Sequence, residues 1–166
     1  MIRFLVALLL STSLLFAQAT PEWKAFWDKQ ASIRKSGADA LQREREHHKA
    51  DPCSTAEATR GISECLSQEF KITDAQYLTY VRSIGALLRL TPPDDAPRRV
   101  ADARIARLPF DDAESAWQSY REKACAALDY LYRGGSIISV ARGSCMLSLT
   151  WSHMDELQNL YGDLWH

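Results

Sequence analysis

From Asp111 onward the apolar or small positions recur as Ala113, Ala116, Trp117, Tyr120, Ala124, Ala127, Leu128 and Leu131. This is the i, i+3, i+4, i+7 series that turns one face of a helix toward a core. Asp111 stands as its N-cap with Glu114 three residues on, a capping-box variant, and Pro109 discourages an earlier start. Gly134-Gly135 ends it. Helical spacing resumes at Ile137, and from Cys145 a second face runs through Leu149, Met154, Leu157, Leu160, Tyr161 and Leu164, with Gly143 as a point of breakage or kinking. Upstream, Tyr77, Val81, Ile84 and Leu88 mark a third helix with Asp74 as its N-cap. It stops before Thr91-Pro92-Pro93-Asp94-Asp95-Ala96-Pro97, a loop within the domain, and a short helix is expected near Arg98 to Leu108. Residues 20–50 read as an N-terminal helical or flexible arm, in which Trp23, Phe26, Trp27 and Gln30 share a face and Arg43 to Lys49 is a charge run. There is no strand-like alternation, internal repeat or low-complexity tract. The expected fold is therefore all-α, a small antiparallel helical domain over residues 51–166.

The first 19 residues carry a different pattern. Arg3 precedes an apolar run from Phe4 to Phe16, and Ala17-Gln18-Ala19 is a small-x-small cleavage site, so residues 1–19 are expected to be a signal peptide. The run is shorter than the ~20 residues that span a bilayer, and no later stretch is long and apolar enough to do so, so no stable membrane span is expected after cleavage. Export places Cys53, Cys65, Cys125 and Cys145 in an oxidising compartment, where an even number of cysteines reads as two disulfides. Zinc is the competing reading, but its ligands come in close pairs, whereas the intervals here are 11, 59 and 19 residues. Cys125 lies nine residues before Gly134 and Cys145 ten after Gly135, so an antiparallel hairpin folded at the glycines brings the two sulfurs level. That leaves Cys53 with Cys65. A helix starting at Ser54-Thr55-Ala56-Glu57 would carry Cys65 some 15 Å away at 1.5 Å per residue, so this pairing calls for a bend near Gly61.

The chain has 166 residues, 46% of them hydrophobic and 25% charged, in keeping with one globular domain. A net charge of −1 supplies no positive field for nucleic acid. Gly134-Gly135-Ser136 lacks the second glycine of a nucleophile elbow and follows a helix. Nothing Gly-rich is placed to cradle phosphate, no dinucleotide fingerprint occurs, and no cofactor is expected. His153 with Glu156, and His47-His48 with Glu44 or Glu46, have metal-ligand chemistry, but a solvated helix face and a charged arm account for them and no metal site is expected. Asp111, Asp112 and Glu114 form the obvious carboxylate cluster, which capping already explains.

In Ala116-Trp117-Gln118-Ser119-Tyr120-Arg121-Glu122-Lys123-Ala124-Cys125, then Tyr132-Arg133-Gly134-Gly135-Ser136 and Cys145-Met146-Leu147-Ser148-Leu149-Thr150, the chain resembles the lysozyme inhibitor LprI-like family of bacterial secreted proteins. Members share a W-x-x-Y/F-R-x-x-x-C segment, a Gly-Ser turn, a second Cys ahead of Leu-Thr, and an upstream Cys pair leading into an Asp-containing helix. The upstream matches here are Cys53, Thr59, Cys65 and Asp74, and the similarity covers about residues 50–160. Three places depart from the pattern: Glu114 where the family often has Gln, His153 where it often has Arg, and Tyr77-Leu78 where it has Leu-Asn. The resemblance implies an all-α, disulfide-bonded domain of the cell envelope, periplasmic or secreted, whose protein partner is a lysozyme. Trp117 and Tyr120 are expected as core anchors, with Arg121 holding Asp129 or Asp155 or, as a lesser reading, a partner. Lysozymes are basic, so the acidic surface candidates for partner binding are Asp94, Asp95, Asp111 and Asp112. Two other readings stand beside inhibition: an envelope immunity or adaptor protein for another toxin or enzyme, and a small carboxylate-dependent cell-wall hydrolase.

Overall fold

The computed structural model describes residues 20–93 and 107–166. The expected signal peptide, Asp94, Asp95 and most of the short helix anticipated near Arg98 to Leu108 lie outside them. Four long helices and a closing 3-10 turn make up the described chain: α1 Pro21–Lys49, α2 Ala58–Arg89, α3 Arg107–Leu131, α4 Ile138–Tyr161, and the turn Gly162–Trp165. The all-α expectation holds.

Residues 20–50 form a single helix. Pro21 opens α1 at a position where its missing N–H is no loss, and His47, His48 and Lys49 complement the dipole at the other end. Its buried positions, Phe26, Gly37, Ala40, Leu41 and Glu44, make a stripe that packs on α2. Residue pairings run antiparallel, from Glu44 with Thr73 to Gly37 beside Ser83. The α3–α4 hairpin is likewise antiparallel, from Arg142 with Asp129 to Phe110 against Tyr161. Leu66 beside Gly143 and Tyr77 beside His153 set α2 and α4 parallel. This central pair is flanked by α1 and α3.

The core between them gathers Ala40 and Leu41 from α1, Tyr77, Tyr80, Ile84 and Leu88 from α2, Phe110 from α3, and Met154 and Leu157 from α4. Trp165 folds back to stack on Tyr80 at 5.4 Å. Both described interhelix turns, and both disulfides, fall at one end of the bundle. The opposite end holds Thr20, the close of α2, the first described turn of α3 and the C-terminus.

Several expected boundaries move. Asp74 caps nothing: α2 is continuous over 32 residues and Asp74 lies in its middle. The described part of α3 already begins at Arg107, so Asp111 is no N-cap and Pro109 sits in the opening turn, where an absent N–H breaks no helical bond. Gly143 does not break α4, which runs on from Ile138 to Tyr161; it lies against Leu66, and a Cβ added there would stand 3.0 Å from the Leu66 Cβ. The disulfides are Cys53–Cys65 and Cys125–Cys145, as expected, with Cα separations of 5.8 and 5.6 Å. The route to the first differs from expectation. Residues 51–57 are a turn, α2 starts only at Ala58, and positive φ at Asp51 (43°) and Ala58 (60°) folds the turn back toward Cys65 without any bend at Gly61.

Candidate functional site

The inward face of α3 is Phe110, Glu114, Trp117, Arg121 and Cys125, helical in spacing but rotated from the apolar stripe anticipated above. Tyr120, expected as a core anchor, is 58% exposed, and Tyr130 and Leu131 are more so. Two of the inward positions are charged residues, and each is buried with partners.

Arg121 does not hold Asp129 or Asp155. Its guanidinium donates to Asp74 at 2.8 Å and to the Thr150 hydroxyl at 2.9 Å, joining α3 to both central helices. The rings of Trp117, Phe70 and Tyr77 lie 5.1 to 5.5 Å from its central carbon, a cation enclosed by aromatic faces. Its side chain is only 6% exposed, which removes it from the surface a partner meets. Asp129 pairs instead with Arg142 and Asp155 with Arg45.

Two turns back along α3, Glu114 accepts a hydrogen bond from the Tyr77 hydroxyl at 2.8 Å and faces His153 Nε2 at 2.9 Å. His153 Nδ1 faces Glu156 at 3.1 Å, and its ring stacks on Trp117 at 3.9 Å. His153 is thus a buried residue and not part of a solvated face, and Glu114 is a buried acceptor and not a cap. Burial holds the Tyr77 hydroxyl well above its ordinary range. A second enclosed carboxylate belongs to the supposed charge run of α1. Glu44, 2% exposed, accepts from Thr73 Oγ1 at 2.7 Å and from Trp151 Nε1 at 2.6 Å. Beside it His47 meets Glu69 at 2.5 Å and His48 packs on Trp151. Among the described residues no group of three or more His, Cys, Asp or Glu is placed to hold a metal ion, and no helix is long and apolar enough to cross a membrane. These networks cross-link the four helices and offer no open pair of carboxylates to a substrate.

The surface candidates separate in space. Asp111 and Asp112 are exposed at the beginning of α3, and Asp111 bonds Arg89 at 3.2 Å. At the other end of the same helix is the α3–α4 turn, where every residue from Leu131 to Ile137 is exposed. Tyr132 N donates to Leu128 O and Gly135 N to Tyr132 O, both at 3.0 Å, and Gly134 takes φ 80°, a conformation glycine adopts without strain. The Cys125–Cys145 bridge ties the two helical arms beneath this turn. Beside the other disulfide lies a cleft of about 400 Å³ lined by Pro52, Leu66, Glu69, Leu147 and Trp151 among others. Motif reading reached the bridge and the Gly-Ser turn. The exposed Tyr130, Leu131 and Tyr132 carry no such motif signal beyond their place in sequence right before the glycines.

The chain is similar to known proteins across this region. A family model, lysozyme inhibitor LprI, matches residues 50–157. An uncharacterized protein of Rhizobium meliloti (strain 1021) is 26% identical over 110 residues, covering 65% of this chain and 77% of that protein. No solved structure matches the chain.

Proposed function

The chain belongs to the lysozyme inhibitor LprI family, and from that premise we propose that it is a non-enzymatic binding protein of the bacterial periplasm or exterior that protects peptidoglycan by occupying a lysozyme. The family match over residues 50–157 carries this reading. The architecture is consistent with it. Two disulfides rigidify one end of a small helical bundle, as suits a domain exported to an oxidising compartment. Of the carboxylate cluster at the start of α3, Glu114 is buried as a hydrogen-bond acceptor and Asp111 bonds Arg89, an arrangement in keeping with a binding protein. Asp94, Asp95, Asp111 and Asp112 belong to this proposal as acidic residues that attract a basic enzyme and speed its approach.

The test is a titration of residues 20–166, disulfides formed, against several lysozyme types, following both cell-wall lysis and direct binding. Stoichiometric loss of lysis together with binding is the expected result. Absence of binding to every type overturns the reading and turns the search to another envelope enzyme or toxin.

A further inference from the structure

The end of the α3–α4 hairpin, the last residues of α3 with the turn that follows, exposes large apolar side chains. Tyr130 is 76% exposed, Leu131 72% and Ile137 50%, with Tyr132 partly exposed between them. In the turn, Arg133 places its guanidinium 5.0 Å from the ring centre of Tyr130 in the last turn of α3. Among the described residues it has no carboxylate partner, whereas Arg142 one turn into α4 is held by Asp129 at 3.3 Å. The hairpin end is therefore an exposed apolar tip carrying a cation with no carboxylate partner among the described residues, braced by the backbone bonds at Tyr132 and Gly135 and by the disulfide below. A preorganised element of this kind loses little conformational freedom on binding, so more of its contact energy appears as affinity.

We propose that this tip is the inhibitory element and seats in the substrate cleft of a lysozyme, with Arg133 on the catalytic carboxylates and Tyr130, Leu131 and Tyr132 against the walls that otherwise hold sugar rings. The proposal rests on the inhibitor reading above. Charge selects the occupant. A muramidase cleft is a concave groove with two carboxyl groups flanking the scissile bond, at least one of them ionised at neutral pH. A guanidinium beside the Tyr130 ring, with no carboxylate partner among the described residues, is complementary to it in sign and in amphipathic character. Aromatic residues and arginine are also the side chains that dominate binding energy when buried at the centre of an interface.

The experiment compares the wild-type chain with Arg133→Ala, Tyr130→Ser and Leu160→Ala in binding and inhibition of egg-white lysozyme, adding N-acetylglucosamine oligomers as cleft competitors. Leu160 is 68% exposed at the far end of α4 and serves as the control. All three positions are solvent-facing, and helical circular dichroism verifies the fold of each variant. Arg133→Ala and Tyr130→Ser are each expected to raise Kd about tenfold or more, Leu160→Ala to leave it unchanged, and the oligomers to displace the wild-type chain. Wild-type binding that survives both tip substitutions, or that the oligomers do not reduce, overturns the tip assignment while leaving the inhibitor reading intact. A dimer of the chain that the tip substitutions dissociate overturns it too, by making a second copy the occupant. Failure of the wild-type chain to bind egg-white lysozyme moves the same comparison to a type bound in the titration above, and failure with every type overturns the parent reading and with it the tip assignment.

Discussion

Glu114, His153 and Tyr77, three residues at which the chain departs from the pattern it resembles, meet in one buried cluster. An acid, an imidazole and a phenol satisfy one another there, so the departures read as a single linked change. The consequence is energetic. Removing Glu114 leaves the Tyr77 hydroxyl and one His153 nitrogen without an acceptor in a site closed to water. Glu114→Ala is accordingly expected to lower the unfolding free energy by roughly 1–3 kcal/mol in a denaturant titration, and Glu114→Gln, which keeps a carbonyl oxygen, by less. Tyr77 makes a second, pH-dependent contribution. Below its ordinary pKa of 10.0 the hydroxyl is neutral in folded and unfolded chains alike. Above it the unfolded chain loses the proton while burial keeps the folded one neutral, so the folded state binds more protons and stability falls as pH rises. That decline is at most about 1.4 kcal/mol per pH unit from this group. Tyr80, raised by the same cause, adds to it. Denaturant midpoints measured from pH 8 upward should hold level and then drop beyond about pH 10, with a shallower drop for Tyr77→Phe.

The helices meet through small residues as much as through large ones. Gly37 of α1 lies where a Cβ would come within 2.8 Å of the Ser83 Cβ and run into the Trp165 ring. Gly37→Ala must therefore push α1 from α2 and displace the closing turn, at an expected cost of about 1–3 kcal/mol. Gly61 supplies the opposite case. It stands in α2 with nothing near its missing Cβ, so Gly61→Ala should stabilise by roughly 0.5–1 kcal/mol through lower chain entropy. The opposite signs are read in the same denaturant series. Helix periods were legible in the sequence, as Tyr77, Ile84 and Leu88 attest by their burial. The phase of α3 was not. Counting apolar residues selected Ala113, Ala116 and Tyr120, because the true inward face contains Glu114 and Arg121, which any hydrophobicity count rejects. Pairing information exists only in three dimensions: nothing local marks Asp74 as the partner of Arg121, 47 residues away. The Cys125–Cys145 bridge was legible because equal arms about a glycine turn fix a level by length alone. The exposed tip went unnoticed for the converse reason, since tyrosine and leucine at a helix end read as core until the structure shows solvent on them.

On the scale of the whole molecule, the two surfaces proposed to meet a lysozyme stand at opposite ends of α3. From Asp112 to Leu131 the helix rises about 28 Å at 1.5 Å per residue. An enzyme seated end-on at the stapled tip leaves the acidic end a distance several times the ~8 Å screening length of physiological salt. The two ends then act on different steps of association. Asp112→Asn should slow the association rate at low ionic strength, and the difference from wild type should vanish as salt is raised, because steering acts before contact. Arg133→Ala should act mainly on dissociation, since its effect depends on contacts that exist only once the tip is seated. Rate constants from surface-immobilised lysozyme, taken at two or more salt concentrations, resolve the two. A salt-independent increase in dissociation rate for Asp112→Asn would place the acidic end inside the interface, and a lysozyme lying along α3 would replace one held at its tip.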